Sequence, residues 1–189
     1  MVLLSKIYTR TGDDGTSALA TGERRQKSDL RFAAIGTVDE LNAHVGIARL
    51  HDDALGGEVA AMLVRIQNDL FDLGADLATP ERKEARERLR IAATQVERLE
   101  REIDALNRNL EPLTSFVLPG GTPAAASLHL CRTVARRTER LMVELAGREP
   151  VNVEALHYMN RLSDLFFVAA RFANDGGRTD VLWVPGGNR

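Results

Sequence analysis

Residues 115–140 read S-F-V-L-P-G-G-T-P-A-A-A-S-L-H-L-C-R-T-V-A-R-R-T-E-R. A Pro-Gly-Gly turn leads into a well-formed helix start, with Thr122 placed as N-cap and Pro123 as the first helical residue. Ala124, Leu128, Cys131, Ala135, Thr138, Met142 and Leu145 then recur at spacings of four and three, the pattern of a bundle seam. Roughly a third of a turn away, His129, Arg132, Arg136, Glu139 and Arg140 share a second face. Arg132, Arg136 and Arg140 fall four residues apart, and exposed like charges at that spacing cost a helix about 0.2–0.5 kcal/mol per pair. Two readings follow. The stripe is a solvated face in which Glu139 offsets its neighbours, or it is a site built for a strongly anionic group.

The same three-four spacing recurs outward from this helix. A first helix lies between residues 28 and 50, with Val38, Leu41, Val45 and Ala48 inward. Its start falls near Ser28 or, by the capping-box spacing of Thr37 and Glu40, as late as Thr37. A second carries Val59, Met62, Ile66, Leu70, Leu73 and Leu77 and ends before Pro80. Residues 81–90 are highly charged and read as a linker or an exposed helix start. A third runs from Leu89 through Leu99 to Leu110, stopped by Pro112. The fifth starts near Asn152, carries Val153, Leu156, Met159, Leu162, Phe166 and Ala170, and stops at Gly176-Gly177. These features specify an all-α, five-helix bundle with up-down packing. Residues 1–27 read as an irregular segment, 28–177 as the bundle and 178–189 as a tail, in one domain. Residues 181–184 form a short apolar run suited to a tail strand or a docking segment.

At 189 residues the chain can bury a full core. A net charge of −2 argues against nucleic-acid or acidic-membrane binding. No apolar run reaches membrane-spanning length, and no signal-peptide core opens the chain, so the cytoplasm is the expected compartment. Cys131 is the only cysteine and falls on the apolar seam, where a buried hydrophobe is the expected role. The four histidines, at 44, 51, 129 and 157, have no metal-ligand spacing. Neither a nucleophile elbow nor a Cys-His arrangement is present.

What remains is a kit for holding phosphates. Y-T-R-T-G-D-D-G-T-S (residues 8–17) places two glycines among hydroxyl and basic residues, a composition that exposes backbone N–H groups to phosphate oxygens. Lys27 adds a point charge downstream. The segment is no P-loop, because it lacks G-x-x-x-x-G-K-[ST], and alone it reads as readily as a plain loop. Asn160, Asp164, Phe167 and Arg171 line one face of the fifth helix. There Asn160 suits a ribose, base or phosphate, and Asp164 suits an interhelical contact. Asp39, beside Ala43 and Gly46, suits pairing with an arginine within the chain or across a subunit contact. Phe116 is either a core anchor under its loop or one wall of a flat apolar pocket. Without a protein nucleophile, the hard chemistry belongs to a bound partner.

Together these segments resemble the PduO-type ATP:cob(I)alamin adenosyltransferases. The matching stretches are K-I-Y-T-R-T-G-D-D-G-T, T-G-E-R-R-Q-K, G-T-V-D-E-L-N, S-F-V-L-P-G-G, C-R-T-V-A-R-R-T-E-R and N-R-L-S-D-L-F-F-V-A-A-R, in that order along nearly the whole chain. Thr138 stands where alanine is expected, on the seam side. The resemblance implies a homotrimeric helical bundle with active sites between subunits. ATP, with Mg²⁺, would be held by Thr9, Arg10, Thr11, Gly12, Ser17 and Lys27, by Arg136, Arg137, Glu139 and Arg140, and by Asn160. Mg²⁺ would be held mainly through the phosphates, with Glu139 as the candidate protein ligand. Arg132 would pair with Asp39 of a neighbouring subunit. Phe116 would press on the lower face of cobalamin and displace its lower axial ligand. Arg136 and Phe116 are the residues expected to carry catalysis. A cob(II)alamin reductase and an adenosylcobalamin-dependent acceptor enzyme would be partners. Two other classes fit a helical bundle with these arginines: a module that binds ATP or delivers adenosylcobalamin without making it, and a structural bundle whose arginines serve oligomer contacts.

Overall fold

A computed structural model describes residues 7–80 and 88–189. It is mostly helical. Two short strands, β1 (Thr16–Ala18) and β2 (Arg24–Gln26), come first, followed by helices α1 (Leu30–Ala48), α2 (Asp52–Leu77), α3 (Ala93–Asn107), α4 (Pro123–Ala146) and α5 (Val153–Ala173). The picture of five separately connected helices is too simple. α1 passes through a 3-10 turn, Arg49–His51, straight into α2, and α2 is kinked at Gly56, where φ is 77°.

α4 packs against both α5 and α1, α1 lies on α2, and α5 reaches α3. Every residue of the seam read from the α4 sequence is buried, from Ala124 to Leu145. The caps explain the helix starts. Thr122 accepts from the Ala125 N–H at 3.1 Å, Asn152 caps α5, and Asp29 accepts from the Arg31 N–H at 2.8 Å. The Asp29 cap settles the start of α1 near Ser28 rather than at Thr37. α3 begins later and ends earlier than its apolar spacing suggested. Leu89 stands outside it and is exposed, while Ile91, two residues on, fills the core. The linker read at 81–90 lies partly outside the described residues. A polar brace crosses the bundle where the buried Tyr158 hydroxyl donates to Asp69 of α2 at 2.7 Å and Gln95 of α3 donates to the same carboxylate at 2.8 Å.

Residues 1–27 are not wholly irregular. β1 and β2 form an antiparallel ribbon with Ser17 opposite Arg25. Its alternation is too short and too polar to show as a period in the sequence. The ribbon is fastened to one end of the bundle by a charge cluster. Glu149, just beyond α4, takes Arg25 at 2.9 Å and the buried Arg31 at 2.9 Å, while Arg31 also donates to the Leu77 carbonyl at 2.7 Å. A second tie runs from the Ala20 N–H to the Ala78 carbonyl at 3.0 Å.

Burial works to raise the Glu149 carboxyl, but hydrogen bonds from Arg25 and Arg31 outweigh it and hold the group below its ordinary value of 4.5. A depressed carboxylate stabilises the folded state above the unfolded value, and the gain is lost as pH falls through the folded value. Glu149→Gln should therefore lower stability at pH 7 by about 1–2 kcal/mol, or roughly 3–6 °C in Tm. Thermal melts of both proteins from pH 7 down to pH 3 check this: the difference should shrink as the medium becomes acidic.

Candidate active site

The α4–α5 face holds a hollow of about 310 Å³ lined by Phe116, Arg132, Arg136, Ser163, Asp164 and Phe167. Arg132 and Arg136 come from successive turns of α4, Ser163, Asp164 and Phe167 from α5, and Phe116 from the loop before α4. Arg132 is half-buried and Arg136 exposed. Burial, then the charge on Arg136, both weigh against the Arg132 guanidinium. Its Nε is buried with no hydrogen-bond partner among the described residues. Asp39 on α1 likewise has no ion pair among them. It lies in a separate groove of about 410 Å³ between α1 and α2, beside Ile35, Leu70 and the exposed Phe71. Arg132 and Asp39 therefore form no pair within this chain.

Asp164, read from the sequence as an interhelical contact, instead faces the hollow. Burial raises its carboxyl, against the opposing charges of Arg161 and Arg136. Next to the hollow, Asn160 donates to Glu139 Oε1 at 2.8 Å and accepts from Arg161 at 2.6 Å, and Arg161 reaches Glu100 at 2.9 Å. Arg140 donates to the Arg136 carbonyl at 3.0 Å. Arg137 turns the other way and is paired with Glu40 of α1. To meet a phosphate it must exchange that partner.

His129 is 2 % exposed, and both ring nitrogens lack partners among the described residues. It packs beside Phe167 with ring centroids 6.3 Å apart. Burial, then the charge of Arg132, hold its imidazole below the ordinary 6.5, so it is neutral near pH 7. The arginine stripe thus gains no further charge from His129.

The N-terminal loop is a compact polar turn. Lys27 donates from Nζ to the Gly12 carbonyl at 2.8 Å, and Thr9 and Thr11 join hydroxyls at 2.9 Å. Asp14 accepts from the Thr16 N–H at 2.9 Å and from its hydroxyl at 2.7 Å. Arg10 takes a left-handed backbone with φ of 62°, which costs a non-glycine residue about 1 kcal/mol. Ser17 sits in β1 at the base of this turn.

The two halves of the expected nucleotide site stay apart in one chain. Among the described residues, no hydrogen bond or ion pair joins Thr9, Arg10, Thr11, Gly12, Ser17 or Lys27 to Arg136, Arg137, Glu139, Arg140 or Asn160. The ribbon is tied at Glu149, beyond the C-terminal end of α4, and Arg136 lies about 15 Å back along that helix from its last turn. Sequence reasoning missed Ser163 and the placement of Asp164. Both follow Asn160 at helical spacing, which was the available signal. No cluster of three His, Cys, Asp or Glu side chains suited to a metal occurs among the described residues. None of the helices there is long and apolar enough to cross a membrane.

Residues 7–173 match the family model for cobalamin adenosyltransferase. The chain belongs to the cobalamin adenosyltransferase family. Among curated members of that family, it is 48% identical to the corrinoid adenosyltransferase of Mycobacterium tuberculosis over 100% of this chain and 97% of the relative. It is 49% identical to the cobalamin adenosyltransferase of Cupriavidus metallidurans, covering 95% of each. A variant of the PduO-type ATP:corrinoid adenosyltransferase from Lactobacillus reuteri, solved in complex with cobalamin and ATP, superposes with a TM-score of 0.88 at 40% identity, over 94% of this chain and 96% of that one.

The lone cysteine of this adenosyltransferase is outside the site. Burial pushes the Cys131 thiol up to about 12. A thiol so disfavoured as thiolate should leave the native protein unlabelled by a thiol reagent at pH 8 and react fully once the chain is unfolded in guanidinium. Fast labelling of the folded protein would show that the α4 seam opens.

Proposed function

We propose that this chain transfers the 5′-deoxyadenosyl group of ATP to the cobalt of cob(I)alamin, releasing triphosphate and forming adenosylcobalamin. The observation that carries the reading is the hollow in which Phe116 and Phe167 face Arg132, Arg136 and Asp164. It offers an apolar wall for a flat macrocycle beside cations for a polyanion.

The cobalt electron pair attacks C5′ and becomes the Co–C5′ bond, the C5′–O5′ bond breaks, and triphosphate leaves with the electrons of that broken bond. The protein has two tasks, orientation of the reactants and stabilisation of charge on the leaving group. Arg136 is the nearest candidate for the second, because it opens into the hollow with no ion pair among the described residues. Arg140 one turn on, and Arg137 once released from Glu40, would extend the clamp. Asn160 would orient the nucleotide through its Glu139 hydrogen bond. Thr9, Arg10, Thr11, Gly12, Ser17 and Lys27 would complete the triphosphate cradle from an adjacent copy, in a homotrimer with Arg132 facing Asp39 across the boundary. The separation of these two groups within one chain supports that sharing, as do Arg132 and Asp39, neither of which forms an ion pair among the described residues. Phe116, 77 % exposed at its loop tip, would close the lower face of the corrin and keep its axial position empty.

Glu139 Oε2 has no protein partner among the described residues, and no second carboxylate joins it in a metal cluster. That donor set fits an ion held mainly by ATP. Mg²⁺ bound there would neutralise part of the triphosphate charge.

Arg136→Ala should lower turnover at least about tenfold, equivalent to about 1.4 kcal/mol or more of transition-state stabilisation. An anaerobic assay following the spectral conversion of cob(I)alamin to adenosylcobalamin measures it. A near-wild-type kcat would refute the role of Arg136. ATP binding by the native protein without any conversion would make it a carrier instead.

A further inference from the structure

The tail that follows α5 is built into the loop that carries Phe116. The Leu118 N–H donates to the Val181 carbonyl at 2.8 Å, the Trp183 N–H donates to the Phe116 carbonyl at 2.7 Å, and the Ser115 hydroxyl donates to the Trp183 carbonyl at 2.7 Å. Val117 and Leu182 pair as an antiparallel bridge. The Phe116 and Trp183 rings lie 6.1 Å apart, tilted by 51°.

Both strands of this bridge are rooted in one buried polar knot. Asp180 accepts from Arg171 Nε at 2.8 Å and from Asn174 Nδ2 at 3.0 Å, and Arg171 also donates to the Glu111 carbonyl at 2.9 Å. Arg171 and Asp180 side chains are 6 % and 2 % exposed. Asn174 accepts from the Thr122 N–H at 3.0 Å and donates to the Gly120 carbonyl at 3.2 Å, gripping the Pro-Gly-Gly turn. Gly121 has φ of 99°, and a Cβ there would stand 2.1 Å from Asn174 Oδ1, so this turn admits only glycine.

An aromatic as exposed as Phe116 is not held by core packing. The bonds that fix its backbone come from residues 181–183, and those residues are fixed by Asp180. A loop without such partners samples many conformations, and an aromatic wall that must meet a macrocycle at one height then loses its geometry. We propose that residues 180–183 are a positioning strap for Phe116, anchored by Asp180, which supports the chemical step and leaves nucleotide binding unaffected. The inference rests on the reading of Phe116 as the wall beneath the corrin.

The test uses the full chain, the chain ended after Asp180, Trp183→Ala, Trp183→Phe and Phe116→Ala. Ending the chain after Asp180 spares the Arg171–Asp180 knot, so its thermal melt and ATP dissociation constant should stay within about twofold of the full chain, while kcat falls at least about tenfold. Trp183→Ala should follow it, and Trp183→Phe should recover most of the rate. Bound cob(II)alamin should show a spectrum with the lower axial position occupied in the shortened protein. The shortening should add less than about twofold to the loss already caused by Phe116→Ala, because both act on one element.

A wild-type kcat in both the shortened chain and Trp183→Ala overturns the strap, as does a fully multiplicative loss in the double variant. If the shortened chain fails to fold, the Trp183 pair decides alone: equal rates for Ala and Phe count against the proposal. Wild-type turnover by Phe116→Ala overturns the Phe116 reading itself, and the strap with it. A slow Phe116→Ala beside a fast shortened chain overturns the strap alone.

Discussion

Arg132 and Arg136 repel each other across one turn of α4, and no carboxylate forms an ion pair with either among the described residues. This uncompensated charge is the constraint on which the rest of the structure depends. The opposite face of α4 is committed to the seam between α1 and α5, so the helix cannot rotate to spread its arginines into water. The neighbouring elements are arranged to keep the charge available. His129 is buried neutral, Glu139 is occupied by Asn160, and Asp164 stands near Arg136 without closing a salt bridge. A polyanion entering the hollow would relieve the repulsion, which is a gain specific to the occupied state.

On the proposed reading, the hollow is half of a site. Its apolar side comes from Phe116 and Phe167 and its cationic side from α4, but the glycine-rich turn near Lys27 is moored elsewhere by Glu149 and Ala78. Among the described residues, Arg132 has a buried nitrogen without a partner, and Asp39 opens on an apolar groove beside an exposed Phe71. Buried polar groups seldom remain unsatisfied, and exposed large aromatics beside a groove mark a contact surface. A second copy of the chain would satisfy all of these features at once.

Much of this was legible in the sequence because helix periodicity and capping are local. The α4 seam, the Thr122 and Asn152 caps and the arginine spacing could be read directly. Less local features could not. The β1–β2 ribbon has only three residues per strand, too few for an alternation to show. The start of α3 depended on Ile91 reaching the core while Leu89 did not, a tertiary outcome with no signature in spacing. The run at 181–184 was recognisable as apolar, but its pairing with residues 116–118 joins positions more than sixty residues apart. The burial of Arg171 with Asp180 is of the same kind: on α5 it shares a face with Asn160, yet it serves the tail rather than the hollow.

Subunit complementation tests the shared site most directly. Arg136→Ala and Lys27→Ala damage opposite halves, so each protein alone should be nearly inactive. Co-expressed with different tags and purified as mixed oligomers, they should recover about a third of wild-type turnover, because in a trimer holding both variants one intact α4 meets one intact N-terminal turn at about one site in three. Mixed oligomers as inactive as either parent would place the whole nucleotide site within a single chain and contradict the account.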